Sequence, residues 1–214
     1  AALIPATMLG LWIGCGVPPG RVLSVAGGMR WGWLTTCFAV VTPLWAAYLG
    51  AAWFVTGGEV DGRAEQWIAL LLVGFLTTPL QAAGEELAFR GGLVQGVGAW
   101  LRSPWVGLVV TTVLSSALFA LAHGSMDVWI LLELAFFAVA ACWLTWRTGG
   151  LEAAITLHVV NNVLLLSLTI MLGGLSDAYI DEASTGDPLS TALGVAITAI
   201  ATILLLRVAR RRGI

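Results

Sequence analysis

Long apolar runs separated by short polar turns fill the chain from its first residues to its last. A run of about 20 apolar residues wound as α-helix matches the thickness of a bilayer. Seven such runs can be read, near 2–17, 34–56, 66–100, 105–123, 128–146, 151–174 and 188–208. The pattern predicts an all-α, polytopic transmembrane bundle forming a single integral membrane domain over 1–214. The first run opens directly on Ala1, with no initiator Met and no basic stretch before it, so it does not read as a secretory signal. The expectation is that N-terminal residues are missing, and one lost span would raise seven to eight.

Composition agrees. Hydrophobic residues make up 59% of the 214 and charged ones 10%, with a mean hydropathy of +0.94. A soluble domain carries about 25% charged residues, so a water-facing globule is excluded. The net charge of −2 leaves no basic field for nucleic acid. Cys15, Cys37 and Cys142 are odd in number and scattered through apolar runs, against a disulfide framework.

The turn charges alternate in sign and orient the bundle. Arg21, Arg30, Arg102, Arg147 and the tail Arg207, Arg210, Arg211 and Arg212 mark one end as cytoplasmic. Glu59, Asp61, Glu65, Asp127, Asp177, Asp181, Glu182 and Asp187 mark the other as external. With seven spans the N-terminus lies outside and the C-terminus in the cytoplasm. Tryptophans prefer the headgroup zone: Trp31, Trp33, Trp100, Trp105, Trp143 and Trp146 fall at inner ends, and Trp53, Trp67 and Trp129 at outer ones. Basic residues that are all arginine, in an Ala/Gly/Val/Leu-rich chain, point to a GC-rich bacterial genome and hence to a bacterial cytoplasmic membrane.

A few polar residues interrupt the spans. Glu85, Glu86 and Arg90 lie in QAAGEELAFRGGL, His123 in SALFALAH and His158 in ITLHVVNN, these being both histidines of the chain. An ionised group at mid-helix costs about 2.5–3.5 kcal/mol on insertion scales, so it normally faces a cavity or a partner. Glu86 and Arg90, four apart, share a helix face and can pair, which leaves Glu85 for a different neighbour. Phe119 with His123, and His158 with Asn162, are also four apart; Asn161 lies off that face. Ser103 and Pro104 suit an N-cap and first helical position. Glu85 and His123 each lie 19 residues from Pro104, so an antiparallel pair brings them level. His158 fits this count less well. Level placement needs either helices that project beyond the bilayer or an irregular fifth run near HGSMD. Glu133 and Glu152 are expected at interfaces or in local hydrogen bonds, and Gly91 and Gly92 in close helix packing.

EExxxR (Glu85, Glu86, Arg90), FxxxH (Phe119, His123) and HxxxN (His158, Asn162), in this order and on separate spans, resemble the three motifs of the CPBP family. These are the CAAX proteases and bacteriocin-processing enzymes, also called Abi. The motifs lie within a core of about 66–174. The resemblance implies an intramembrane endopeptidase acting on a peptide or protein substrate at the bilayer. Glu85 and His123 would activate water, and His158 and Asn162 would stabilise the oxyanion. Glu86, Arg90 and Phe119 would shape the site and bind substrate.

The chemistry stands on its own terms too. N–H donors aimed at one point hold a tetrahedral oxyanion, and loss of one typically costs about 100- to 1000-fold in rate. His123, His158 and Glu85 would also supply three ligands to Zn²⁺ if a metal is bound, although Glu85 could not then be the base. A bacterial source makes a CAAX substrate unexpected. Two rival classes remain: a non-catalytic membrane protein for bacteriocin self-immunity or scaffolding, and a proton- or ion-coupled carrier.

Overall fold

The computed structural model describes residues 2–55, 60, 62–174 and 179–214. Glu59, Asp61 and Asp177, assigned above to the outer turns, lie outside the described residues. The described chain is helical: α1 Leu3–Cys15, α2 Pro19–Leu23, α3 Trp31–Val55, α4 Trp67–Glu86, a π-helical segment Leu87–Val94, α5 Gln95–Gly98, α6 Pro104–Leu121, α7 Val128–Thr148, α8 Glu152–Leu172 and α9 Pro188–Arg211. Six helical stretches among the described residues are long and apolar enough to cross a bilayer, with α4, the π segment and α5 forming one of 32 residues.

The expected polytopic helical bundle is present, with α1 as a shorter apolar helix beside the six long ones among the described residues. α1 has 13 residues, about 20 Å at ~1.5 Å per residue, short of the ~30 Å hydrocarbon core. It packs beside the inner half of the third run: a Cβ on Gly84 would lie 3.2 Å from Leu3, and one on Gly92 would lie 3.1 Å from Thr7. With six full crossings, Trp31 and Arg211 fall at the same end, and there Arg212 Nη1 donates to the Gly32 carbonyl at 3.5 Å. Orientation then rests on the arginine clustering alone, without a count of seven.

The helix ends follow local chemistry. Ser103 caps α6, its hydroxyl accepting from the Val106 N–H, with Pro104 at the first position as expected. Asp127 and Asp187 cap α7 and α9 through paired N–H bonds. Gly149 ends α7 at φ 65°, a left-handed conformation that glycine adopts without a Cβ clash. α8 is the central helix, with residues 151–160 all buried. One face packs with Trp33, Cys37, Val41 and Trp45 of α3 and Ile197, Ala201 and Leu205 of α9. Trp33 is therefore a core residue and not part of an interfacial belt, whereas Trp31, Trp100 and Trp105 are exposed.

Glu152, expected near an interface or in a local bond, instead makes a long-range lock. Its carboxylate is buried and accepts from the Arg30 backbone N–H and Nε at 2.9 Å each and from Nη2 at 2.7 Å. Arg30 Nη1 also donates to the Thr148 carbonyl. This fork pins the segment before α3 to the first turn of α8. Glu133 of α7 faces α9, where a Cβ on Gly194 would collide with its carboxylate.

Candidate active site

The third crossing changes helix type within its charged motif. α4 ends on Glu86 and the next eight residues are π-helical. Wide π turns inside α-helices are rare and concentrate at functional sites. Gly91 lies within this turn, and a Cβ there would lie 2.9 Å from Val22 and 3.3 Å from Leu151, so the close packing predicted for it is observed.

That contact also sets the level of His158 relative to Glu85. Leu151, just before α8, is level with Gly91. Glu85 lies six residues before Gly91 and His158 seven after Leu151, so the two come level. The third crossing continues past this contact to Gly98.

Glu86 Oε1 accepts two bonds, from Arg90 Nη1 at 3.1 Å and from His158 Nδ1 at 2.8 Å, and all three residues are buried. A carboxylate only accepts, which assigns the proton to Nδ1 and leaves Nε2 of a neutral ring as an acceptor. Nε2 faces Glu85 Oε2 at 3.7 Å, longer than a hydrogen bond. Glu85 Oε1 accepts from Gln81 Nε2 at 3.1 Å. With its side chain 18% exposed against 0% for Glu86, Glu85 is the accessible carboxylate of the pair.

His123 lies in the turn beyond α6 and donates from Nδ1 to the Phe119 carbonyl at 2.8 Å. Among the described residues no hydrogen bond or ion pair joins it to Glu85. The reason is packing: α6 runs against the π segment and α7, while α4 packs on α8, and the buried Phe119 ring occupies the space between the histidines. Its centroid lies 4.7 Å from the His123 ring and 5.7 Å from that of His158, with Arg90 Cζ 4.5 Å from it. Phe119 is thus the hub of the cluster. Phe137 of α7 adds a second ring 5.3 Å from His158.

Asn162 Oδ1 accepts from Asn161 Nδ2 at 3.0 Å, and Asn161 Oδ1 accepts from Trp45 Nε1 at 3.0 Å. Asn161 is therefore the residue that fixes the orientation of Asn162. The described residues include no group of three His, Cys, Asp or Glu side chains placed to hold a metal ion. His158 Nδ1 is engaged by Glu86 and His123 is turned to Phe119, so the three-ligand zinc set of His123, His158 and Glu85 is not assembled.

Gln81 and Phe137 extend the site beyond the residues read from sequence. Gln81 is legible in principle, as a polar residue one turn before Glu85 in an apolar run. Phe137 carries no signal, being one of several aromatics in α7.

Crossing helices of bilayer length around a buried Glu–Glu–Arg–His cluster define an integral membrane protein whose polar centre lies inside its bundle. A family model described as Type II CAAX prenyl endopeptidase Rce1-like matches residues 65–164, the segment that holds all three motifs, and supports the resemblance to the CPBP family. The uncharacterised protein YyaK of Bacillus subtilis is 30% identical over 109 residues, covering 48% of this chain and 35% of that protein. The chain thus spans about a third of the length of the curated relative it matches. No solved structure matches it.

Proposed function

We propose that the protein is an intramembrane endopeptidase that hydrolyses a peptide bond with water activated by Glu85. The observation that carries this reading is the division of labour between adjacent glutamates. Glu86 is paired with the Arg90 charge and held by the His158 N–H, while Glu85, partly exposed, faces His158 Nε2 across 3.7 Å. A water bonded to both at about 2.8 Å spans that gap as a bent bridge. In the reaction Glu85 takes the water proton, the oxygen attacks the carbonyl carbon, and the proton passes to the leaving amine as the C–N bond breaks. Oxyanion stabilisation is assigned to the carboxamide N–H of Asn162, because Nδ1 of His123 and of His158 is already engaged and Nε2 of a neutral ring only accepts. Gln81 holds one oxygen of Glu85 and leaves the other for water. No step is routed through a metal.

The substrate is a peptide or protein segment at the membrane, and the arginine-rich end faces the cytoplasm of a bacterial cell. The family match over residues 65–164 supports a CAAX-type protease. The test uses purified protein in detergent with two peptide sets, one ending in a prenylated Cys-aliphatic-aliphatic-X sequence and one of unmodified apolar peptides. Cleavage by the wild type should be lost in Glu85→Ala and Glu85→Gln, and equal activity in Glu85→Ala would sink the proposal.

A further inference from the structure

One cavity lies away from Glu85. It lies at the arginine-rich end, about 360 Å³ in volume, between the α2 region, the π segment, α5, the start of α6 and the end of α7. Its lining includes Arg21 and Arg90 and no acidic residue. Three buried polar atoms of this lining have no hydrogen-bond partner among the described residues: Arg90 Nε, Arg90 Nη2 and Thr145 Oγ1. Arg90 gives Glu86 a single nitrogen. The Phe119 ring beneath it offers electrostatic compensation but no lone pair. Buried donors without acceptors are uncommon and call for explanation. Arg90 and Thr145 line this cavity together with the exposed Arg21.

We infer that this cavity binds the phosphate headgroup of an anionic phospholipid. Two guanidinium groups and a hydroxyl supply charge and hydrogen bonds to phosphate oxygens. Basic pockets between transmembrane helices are a recurrent form of headgroup recognition. The rest of the lining favours a lipid over free phosphate. Pro104, Leu108 and Val25 give it apolar walls suited to glycerol and the first methylenes. At its edge Trp146 packs against the exposed Trp105, with ring centroids 5.0 Å apart, at the depth where indoles meet headgroups. The volume lies within the range of about 300–1,000 Å³ typical of ligand pockets.

Because Arg90 is shared with Glu86, the test uses residues outside the proposed catalytic cluster and reads binding, independently of hydrolysis. The full chain in a neutral detergent is titrated with phosphatidylglycerol, phosphatidylcholine or inorganic phosphate, and retained ligand is counted by native mass spectrometry. Wild type should retain phosphatidylglycerol in preference to phosphatidylcholine. Arg21→Ala should weaken that binding about fivefold, the size expected for one arginine near a headgroup. Thr145→Val should weaken it as well, whereas Arg211→Ala, at the same end but outside the cavity, should leave it unchanged. Equal retention by wild type, Arg21→Ala and Thr145→Val overturns the site. Inorganic phosphate binding as tightly as phosphatidylglycerol overturns the lipid assignment.

Discussion

Removal of Glu86 tests how the buried charges of the site are balanced. Its Oε1 is the described acceptor for Arg90, and both side chains are fully shielded. Without Glu86, Arg90 keeps only ring contacts, its Cζ 4.5 Å from Phe119 and 5.8 Å from Phe89. A buried charge stripped of its partner costs about 3–5 kcal/mol, so Glu86→Ala should fall in that range. Arg90→Met should cost less, since Glu86 retains the His158 bond at 2.8 Å and can be neutralised by a proton. The double variant removes both charges and should recover at least about 2 kcal/mol relative to the sum, within the range seen for residues in one network. Equilibrium unfolding in mixed micelles, with rising sodium dodecyl sulfate, gives the four free energies of the cycle. Additivity within about 0.5 kcal/mol would show that the two residues are not energetically coupled and would refute this account of the pair.

Other outcomes rest on the same contacts. Glu152→Ala should lower stability by about 3–5 kcal/mol by orphaning Arg30, read as a fall in the detergent melting temperature; a shift no larger than that of a surface variant counts against the lock. Gly91→Leu should fail to bring α8 against the π segment, since even a Cβ lies 2.9 Å from Val22; wild-type stability and activity together would refute the close packing. Gln81→Leu should reduce kcat while leaving the melting temperature near that of wild type, because Gln81 is exposed and its described bond is to Glu85. At the start of α9, hydrogen bonds from the Ser190 side chain and from the Ser190 and Leu189 backbone N–H groups hold the Asp187 carboxyl below its usual range. A depressed folded value means its contribution is present above the unfolded pKa of about 3.9 and is lost as pH falls through the folded value. The melting temperature of Asp187→Asn should therefore decline less than that of wild type on acidification below about pH 4, and identical profiles would exclude this contribution.

Much of this arrangement is legible from residue type and spacing. Apolar length locates the crossings, Ser103-Pro104 starts α6, and the four-residue interval of Glu86 and Arg90 specifies their pairing. Charge is so costly in a membrane that each exception to apolarity stands out. The unread parts depend on contacts between distant segments. Level counting from Pro104 pairs Glu85 with His123 because it takes α4 and α6 to lie side by side. Instead α4 packs on α8, and the residue that fits the count poorly, His158, is the one bonded to Glu86 and facing Glu85. Glu152 and Arg30 are 122 residues apart, and no local pattern links them. The described part of α1 has the composition of a span, and Gly16 ends it in a left-handed turn at φ 67°.

The π segment has a consequence for the tolerance of this chain to insertion and deletion. A π turn holds extra residues relative to an α turn, so it sets an angular offset between the helix before it and the helix after it. Deleting one residue between Leu87 and Val94 would let the backbone relax towards ordinary α geometry while leaving the crossing hydrophobic and nearly as long. Were the π turn instead retained, the same deletion would rotate α4 by roughly a quarter turn relative to α5, turning Glu85 and Glu86 away from His158. The motif would still read EExxxR if the deletion fell after Arg90. Residue phase along this helix, and not the motif alone, determines whether its carboxylates meet their partners.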